Sequence, residues 1–149
     1  MSWDEYFMQL TELVSKRSTC LRRNVGAVLV KSKTIISTGY NGAPRGTKHC
    51  FEAGCIRKEM NVPSGERHEL CRAAHAEQNV IAQAAARGIS TEDSTLYCNT
   101  FPCIICLKLI INAGIKEIVY RQGYGDEKTK GIVDSMINEA GIKLRKLEF

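Results

Sequence analysis

No stretch of the 149 residues approaches the ~18 consecutive apolar side chains that would cross a bilayer, so no membrane span is expected. Proline is scarce, at three residues, and internal repeats, low-complexity tracts and linker-like segments are absent. The expectation is one domain over residues 1–149, a length that buries enough surface to fold without disulfides. Fractions of 44% hydrophobic and 25% charged residues argue against disorder, collagen-like repeats and coiled coil. The start, Met1-Ser2-Trp3-Asp4-Glu5, is acidic from its fourth residue and lacks a signal-peptide pattern, which fits a cytoplasmic chain. Charge decides little. The formal net charge is +5, and residues 1–50, with eight basic and three acidic side chains, hold the whole excess. Such a bias suits an anionic ligand and equally a solvated surface.

What the chain does have is cysteine, at positions 20, 50, 55, 71, 98, 103 and 106. Seven is odd, and a cytosolic chain with this many cysteines points to metal binding or catalysis before disulfides.

The periodicity of Trp3, Phe7, Leu10 and Val14 predicts a helix over 3–17. Residues 25–30 and 34–40 read as strands joined by a turn at Lys31-Ser32-Lys33, a hairpin. Residues 41–72 show no clear period. Ala73 to Arg87 reads as a helix stopped by Gly88, and a second helix starts at Pro102 and stops at Gly114. Thr95–Cys98, Lys116–Tyr120 and Ile142–Leu147 read as strands, and Lys130–Ala140 as a helix. The order αββ–loop–αβαβαβ implies an α/β fold, a three-layer αβα sandwich around a mixed, roughly five-stranded sheet.

Two motifs sit at expected helix starts: His75-Ala76-Glu77 and Pro102-Cys103-Ile104-Ile105-Cys106. Residues two apart on a helix lie ~200° apart, but in a first turn side chains lean toward the open N-terminal end. Cys103 and Cys106 share a face, and a helix N-terminus favours thiolates. One His and two Cys leave a fourth position for water, the open pattern of a catalytic zinc. Alone, His75 reads as an ordinary helix histidine, and the Cys pair as a redox pair or half of a structural zinc site. Together, H-x-E and P-C-x-x-C form the pattern of zinc-dependent nucleobase deaminases, with Glu77 as the proton carrier rather than a ligand.

The chain resembles the deoxycytidylate (dCMP) deaminase family of the zinc-dependent cytidine deaminase superfamily. The resemblance rests on Ser18-Thr19-Cys20, Val25-Gly26-Ala27-Val28, Gly39-Tyr40-Asn41-Gly42-Ala43-Pro44, His75-Ala76-Glu77-Gln78-Asn79, Phe101 to Cys106 and Asn112 to Lys116. It implies hydrolysis of dCMP to dUMP and ammonia, a cytidine deaminase-like fold and a homo-oligomer. It further implies that Asn41 meets the sugar and Ala76 the pyrimidine amide edge, although Asn41 also reads as a turn residue before Gly42. Arg22, Arg23, Arg45 and Arg121 are candidates for the phosphate, with Tyr120 and Tyr124 nearby; each alone also reads as solvated surface.

The long connection from Asn41 to Arg72 carries His49, Cys50, Cys55, His68 and Cys71. A second, structural zinc would order it, and the resemblance supports ligands at Cys20 and Cys50. The expected set is Cys20, Cys50, Cys55 and Cys71, with His49 and His68 in reserve; free thiols are the alternative. Cys98 reads as a small core residue. Two other readings stay open: a tRNA adenosine deaminase, which shares both motifs, and a non-catalytic zinc- or DNA-binding module. The first is disfavoured by Thr100-Phe101 before the Pro-Cys pair, the second by the carboxylate of Glu77. Nucleic acid and membrane are therefore not the expected partners; a small nucleotide is.

Overall fold

A computed structural model describes residues 1–63, 66–123 and 127–149. Helix α1 spans Trp3–Ser15 and opens on a capping box: Glu5 N–H donates to Ser2 Oγ at 3.1 Å, and Ser2 N–H to Glu5 Oε2 at 2.8 Å. Strands β1 (Gly26–Lys31) and β2 (Thr34–Tyr40) form the expected hairpin. Its turn is two residues, Ser32 and Lys33, both left-handed at φ 51° and 59°, the conformation that matches strand twist in tight hairpins. Short helices α2 (Cys50–Ala53) and α3 (Ile56–Glu59) follow, then a single 3₁₀ turn at His68–Leu70. The aperiodic segment is thus built of single turns rather than of one element. The chain continues with α4 (Ala76–Ala86), β3 (Thr95–Thr100), α5 (Ile104–Asn112), β4 (Glu117–Gln122), α6 (Lys130–Ala140) and β5 (Lys143–Lys146).

The five strands lie in the order β2-β1-β3-β4-β5. The β2-β1-β3 side is antiparallel and the β3-β4-β5 side parallel, as α5 and α6 crossovers require. Strand alternation divides the core in two. Val28, Val30, Tyr97 and Val119 face α1, where Phe7 and Met8 fill the gap. Ala27, Leu29, Leu96, Cys98 and Ile118 face the opposite layer, packed on α4, α5 and α6 through Val80, Leu107, Ile110, Val133 and Ile137. This is a mixed-sheet αβα sandwich, with α1 on one face and α4, α5 and α6 on the other. Cys98 is wholly buried in that core, as expected of a small hydrophobe.

One boundary matters for the site. The Ala-rich segment is not helical from Ala73, because Ala74 pairs with Gly42 instead: Gly42 N–H donates to Ala74 O at 3.1 Å and Ala74 N–H to Gly42 O at 2.9 Å. The bridge delays the helix, so His75 becomes its N-cap with an extended backbone. Cys103 holds the same position on α5. No helix among the described residues is long and apolar enough to cross a membrane.

Candidate metal centre and substrate cavity

Both motif-bearing helices begin at one end of the sheet, where β3 finishes and β1 starts. Gly26 N–H donates to Asn99 Oδ1 at 3.0 Å there, tying the two strand ends together. The His75 backbone N–H is taken up by Gln78 Oε1 at 2.7 Å, while its ring turns to the thiols. His75 Nδ1 lies 3.3 Å from Cys106 Sγ and 3.5 Å from Cys103 Sγ. The three ligand atoms sit within 4.8 Å of one another, the only such group of His, Cys, Asp or Glu among the described residues. One imidazole and two thiols are a zinc donor set with an open fourth position, so the residues fit the ion.

The three ligand groups and Glu77 perturb one another strongly. Hydrogen bonds from the Cys106 thiol and from His75 pull the Cys103 thiol down to about 4, against the cost of burial. Cys106, the donor of that shared proton, is pushed up correspondingly. His75 is raised chiefly by its hydrogen bond to Cys103. Glu77 is 4% exposed, and burial holds its carboxyl above the ordinary carboxylate range, with the His75 charge opposing. Its Oε1 has no hydrogen-bond partner. A buried carboxylate oxygen left unpaired is costly and marks a place for a proton or a polar ligand.

A cavity opens beside these groups. Arg22, Arg23, Asn41, Arg57, Glu77 and Phe101 are in its wall, and Ala76 contributes as well. Not every expected substrate residue is there. Asn41 lines the cavity, but its amide is tied to backbone: Oδ1 accepts from Val25 N–H at 3.0 Å and Nδ2 donates to Arg23 O at 3.0 Å. Arg23 donates to Thr100 Oγ1 at 3.4 Å and Arg22 to Val62 O at 3.5 Å. Arg121 is not in the wall. Alternation along β4 turns it to the α1 face, where it pairs with Glu12 at 3.0 Å. Tyr120, one residue earlier, points the other way and packs edge-on against Phe101, ring centres 4.9 Å apart, behind the wall rather than in it. Arg45 is exposed in the turn after Pro44 and does not line the cavity. Tyr124 lies outside the described residues.

The four remaining expected ligands only partly gather. Cys20 and Cys71 line the cavity. Cys50 and Cys55 are buried, and burial with the proximity of Cys20, Cys55 and Cys71 raises the Cys50 thiol. The four thus share a neighbourhood, but no three of their sulfurs approach to ligand spacing among the described residues. Two of these sulfurs accept hydrogen bonds: the Arg57 guanidinium donates to Cys71 Sγ at 3.2 Å and the Arg22 backbone N–H to Cys20 Sγ at 3.4 Å. His49 turns its Nδ1 to Thr19 Oγ1 at 2.9 Å and stacks on Phe51; the His68 side chain is outside the description. Arg57, which the sequence reading missed, is 8% exposed in the cavity wall. Within Arg57-Lys58-Glu59 nothing in residue type separates it from a solvated charge.

This fold and donor set define a zinc-site deaminase architecture, and comparison with known proteins agrees. A family model described as the cytidine and deoxycytidylate deaminase zinc-binding region matches residues 1–122, and the chain belongs to that family. The deoxycytidylate deaminase of Schizosaccharomyces pombe is 40% identical over 145 residues, covering 97% of this chain and 44% of the relative. That of Saccharomyces cerevisiae is 40% identical, covering 99% and 46%. The chain therefore spans about half the length of these relatives. ComE operon protein 2 of Bacillus subtilis is 36% identical, over 99% of this chain and 72% of that protein. Among solved structures, the dCMP deaminase of cyanophage S-TIM5 in complex with dCMP and dUMP superposes with a TM-score of 0.77 at 30% identity, covering 96% and 95%.

Proposed function

We propose that the protein hydrolyses dCMP to dUMP and ammonia, as a cytoplasmic enzyme of pyrimidine nucleotide metabolism. The observation that carries this is the convergence of His75, Cys103 and Cys106 beside the buried Glu77 carboxylate, whose Oε1 has no partner, in a cavity walled by three arginines. The named activity of the yeast relatives and the dCMP and dUMP held by the phage enzyme support the choice of substrate.

His75, Cys103 and Cys106 would hold zinc, whose chemistry is to lower the pKa of a bound water toward neutrality. Glu77 then does the proton work. Its Oε1, free of other partners, would accept one proton from the attacking water and deliver it to the ring nitrogen beside the amine-bearing carbon; the proton of the added hydroxyl would then pass through the same carboxylate to the amine, which leaves as ammonia. Burial raises this carboxyl above the ordinary range, which favours its taking up a proton before it passes it on. Ala76, wholly buried in the wall, would present backbone to the pyrimidine edge. Asn41 would shape the sugar pocket through its anchored amide.

Two further parts belong to this reading. A second zinc on Cys20, Cys50, Cys55 and Cys71 is supported by the proximity of the other three thiols to Cys50; it would require the sulfurs to draw together to ligand spacing, and gives two zinc ions per chain. Assembly into a homo-oligomer is supported by Ile105 and Leu109, apolar and exposed one turn apart on α5. The test of function is a substrate profile. Ammonia release by the zinc-loaded protein is measured with dCMP, dCTP, cytidine and an adenosine-containing tRNA anticodon stem. Turnover of dCMP above the others is expected; release from none of them, with zinc bound, refutes the reading.

A further inference from the structure

Among the described residues, two buried side-chain polar atoms lack a hydrogen-bond partner: Glu77 Oε1 and Arg57 Nε. Both residues line the same cavity. The first is an acceptor beside the metal ligands and is accounted for by the proton chemistry. The second is a donor and has no role in that chemistry. Arg57 sits on the single turn α3, 8% exposed, with one arm of its guanidinium on Cys71 Sγ at 3.2 Å. A buried charged donor without an acceptor costs more than a neutral one. A fold retains such a group where a ligand brings the acceptor.

The ligand's chemistry follows from the wall. Arg22, Arg23 and Arg57 line the cavity against a single carboxylate, Glu77. Arg22 and Arg23 already donate to Val62 O and Thr100 Oγ1; Arg57 is the one with a buried N–H still unmatched. A planar guanidinium fork fits a tetrahedral dianion better than a neutral sugar hydroxyl. We infer that Arg57 is a specificity-determining residue that binds the 5′-phosphate of the substrate and makes the enzyme prefer the nucleotide over the nucleoside. The inference rests on the deaminase reading above and adds to it a residue and a selectivity. It also gives the cysteine-rich insert a purpose beyond its own folding, because the insert delivers Arg57 to the cavity.

The experiment compares wild type, Arg57→Gln and Arg57→Lys, each zinc-loaded with metal content verified, on dCMP and on deoxycytidine, which lacks only the phosphate. Wild-type turnover of dCMP in the same assay tests the underlying reading by itself. For Arg57→Gln the expected result is a rise in KM for dCMP of roughly 10- to 100-fold, the size of one charged hydrogen bond. Its kcat should stay within about threefold, and kcat/KM for deoxycytidine should be unchanged. Arg57→Lys should recover part of the KM. Equal losses on both substrates would make Arg57 a merely structural residue and overturn the inference, as would an unchanged KM for dCMP.

Discussion

Gly39 tests whether the β2–α4 contact holds the site in place. A Cβ built on Gly39 would lie 2.5 Å from Val80 N, 2.7 Å from Ala76 O and 2.9 Å from Val80 Cα. All three are backbone atoms of α4, so no side chain can swing aside. Ordinary contact begins at 3.4 Å, so Gly39→Ala must drive the helix and strand apart by about 0.9 Å at the closest atom. Overpacking of this kind costs ~1–3 kcal/mol, or roughly 3–10 °C in melting temperature for a domain of this size. The helix that moves carries Ala76 and Glu77 and is capped by His75, whereas Cys103 and Cys106 sit on α5. A displacement approaching 1 Å between catalytic groups lowers turnover ~100-fold. The matched control is Gly131→Ala in α6, where a Cβ meets nothing within 4 Å; helix propensity makes it neutral or stabilising by up to ~1 kcal/mol. The assay is thermal unfolding together with ammonia release from dCMP. If Gly39→Ala melts with wild type and keeps full turnover, the claim that close backbone contact positions the site is wrong.

Other consequences are more local. Chelating zinc should abolish turnover and lower the melting temperature, with both restored by added zinc and not by magnesium; activity that survives metal-free dialysis would remove the metal from the mechanism. Asn41→Ala takes the partner from Val25 N–H and one of two donors from Arg23 O, which keeps the Ser18 hydroxyl at 3.1 Å, and should cost ~1–3 kcal/mol in denaturant unfolding, so an unchanged midpoint would contradict its anchoring role. Asp4 receives Arg145 Nη2 at 3.0 Å and the Tyr97 hydroxyl at 2.7 Å, and the Arg145 hydrogen bond above all holds its carboxyl below the ordinary value. A depressed carboxylate contributes stability that is complete above its unfolded pKa of ~3.9 and is lost as pH falls through the folded one. Asp4→Asn should therefore melt lower than wild type at pH 7, with the gap closing below pH ~4. A gap that persists at pH 2 would assign the effect to packing instead.

The parts of the site readable from sequence were those fixed by local chemistry. His75-Ala76-Glu77 and Pro102 to Cys106 announce helix starts by residue type, and two helix starts after strands at one sheet end are enough to bring three ligands together. The strand–helix order likewise carried the mixed sheet, since parallel crossovers admit few arrangements. What stayed hidden depended on partners far along the chain. Arg121 looked like a phosphate ligand until alternation on β4 turned it toward Glu12, 109 residues away. The late start of α4 hinges on a bridge between Ala74 and Gly42, and Arg57 acquires meaning only once the insert folds over the cavity. The second set of cysteines was visible as a cluster, but its geometry rests on single-turn elements with no periodicity to read.

The most direct measurement is dUMP formation from dCMP by zinc-loaded wild type and Glu77→Gln, with zinc per chain determined on the same samples. The mechanism predicts measurable turnover for wild type and a loss of about 10²- to 10⁴-fold in the variant, at unchanged zinc content. Comparable rates in the two proteins, or no dUMP from the zinc-loaded wild type, would contradict it.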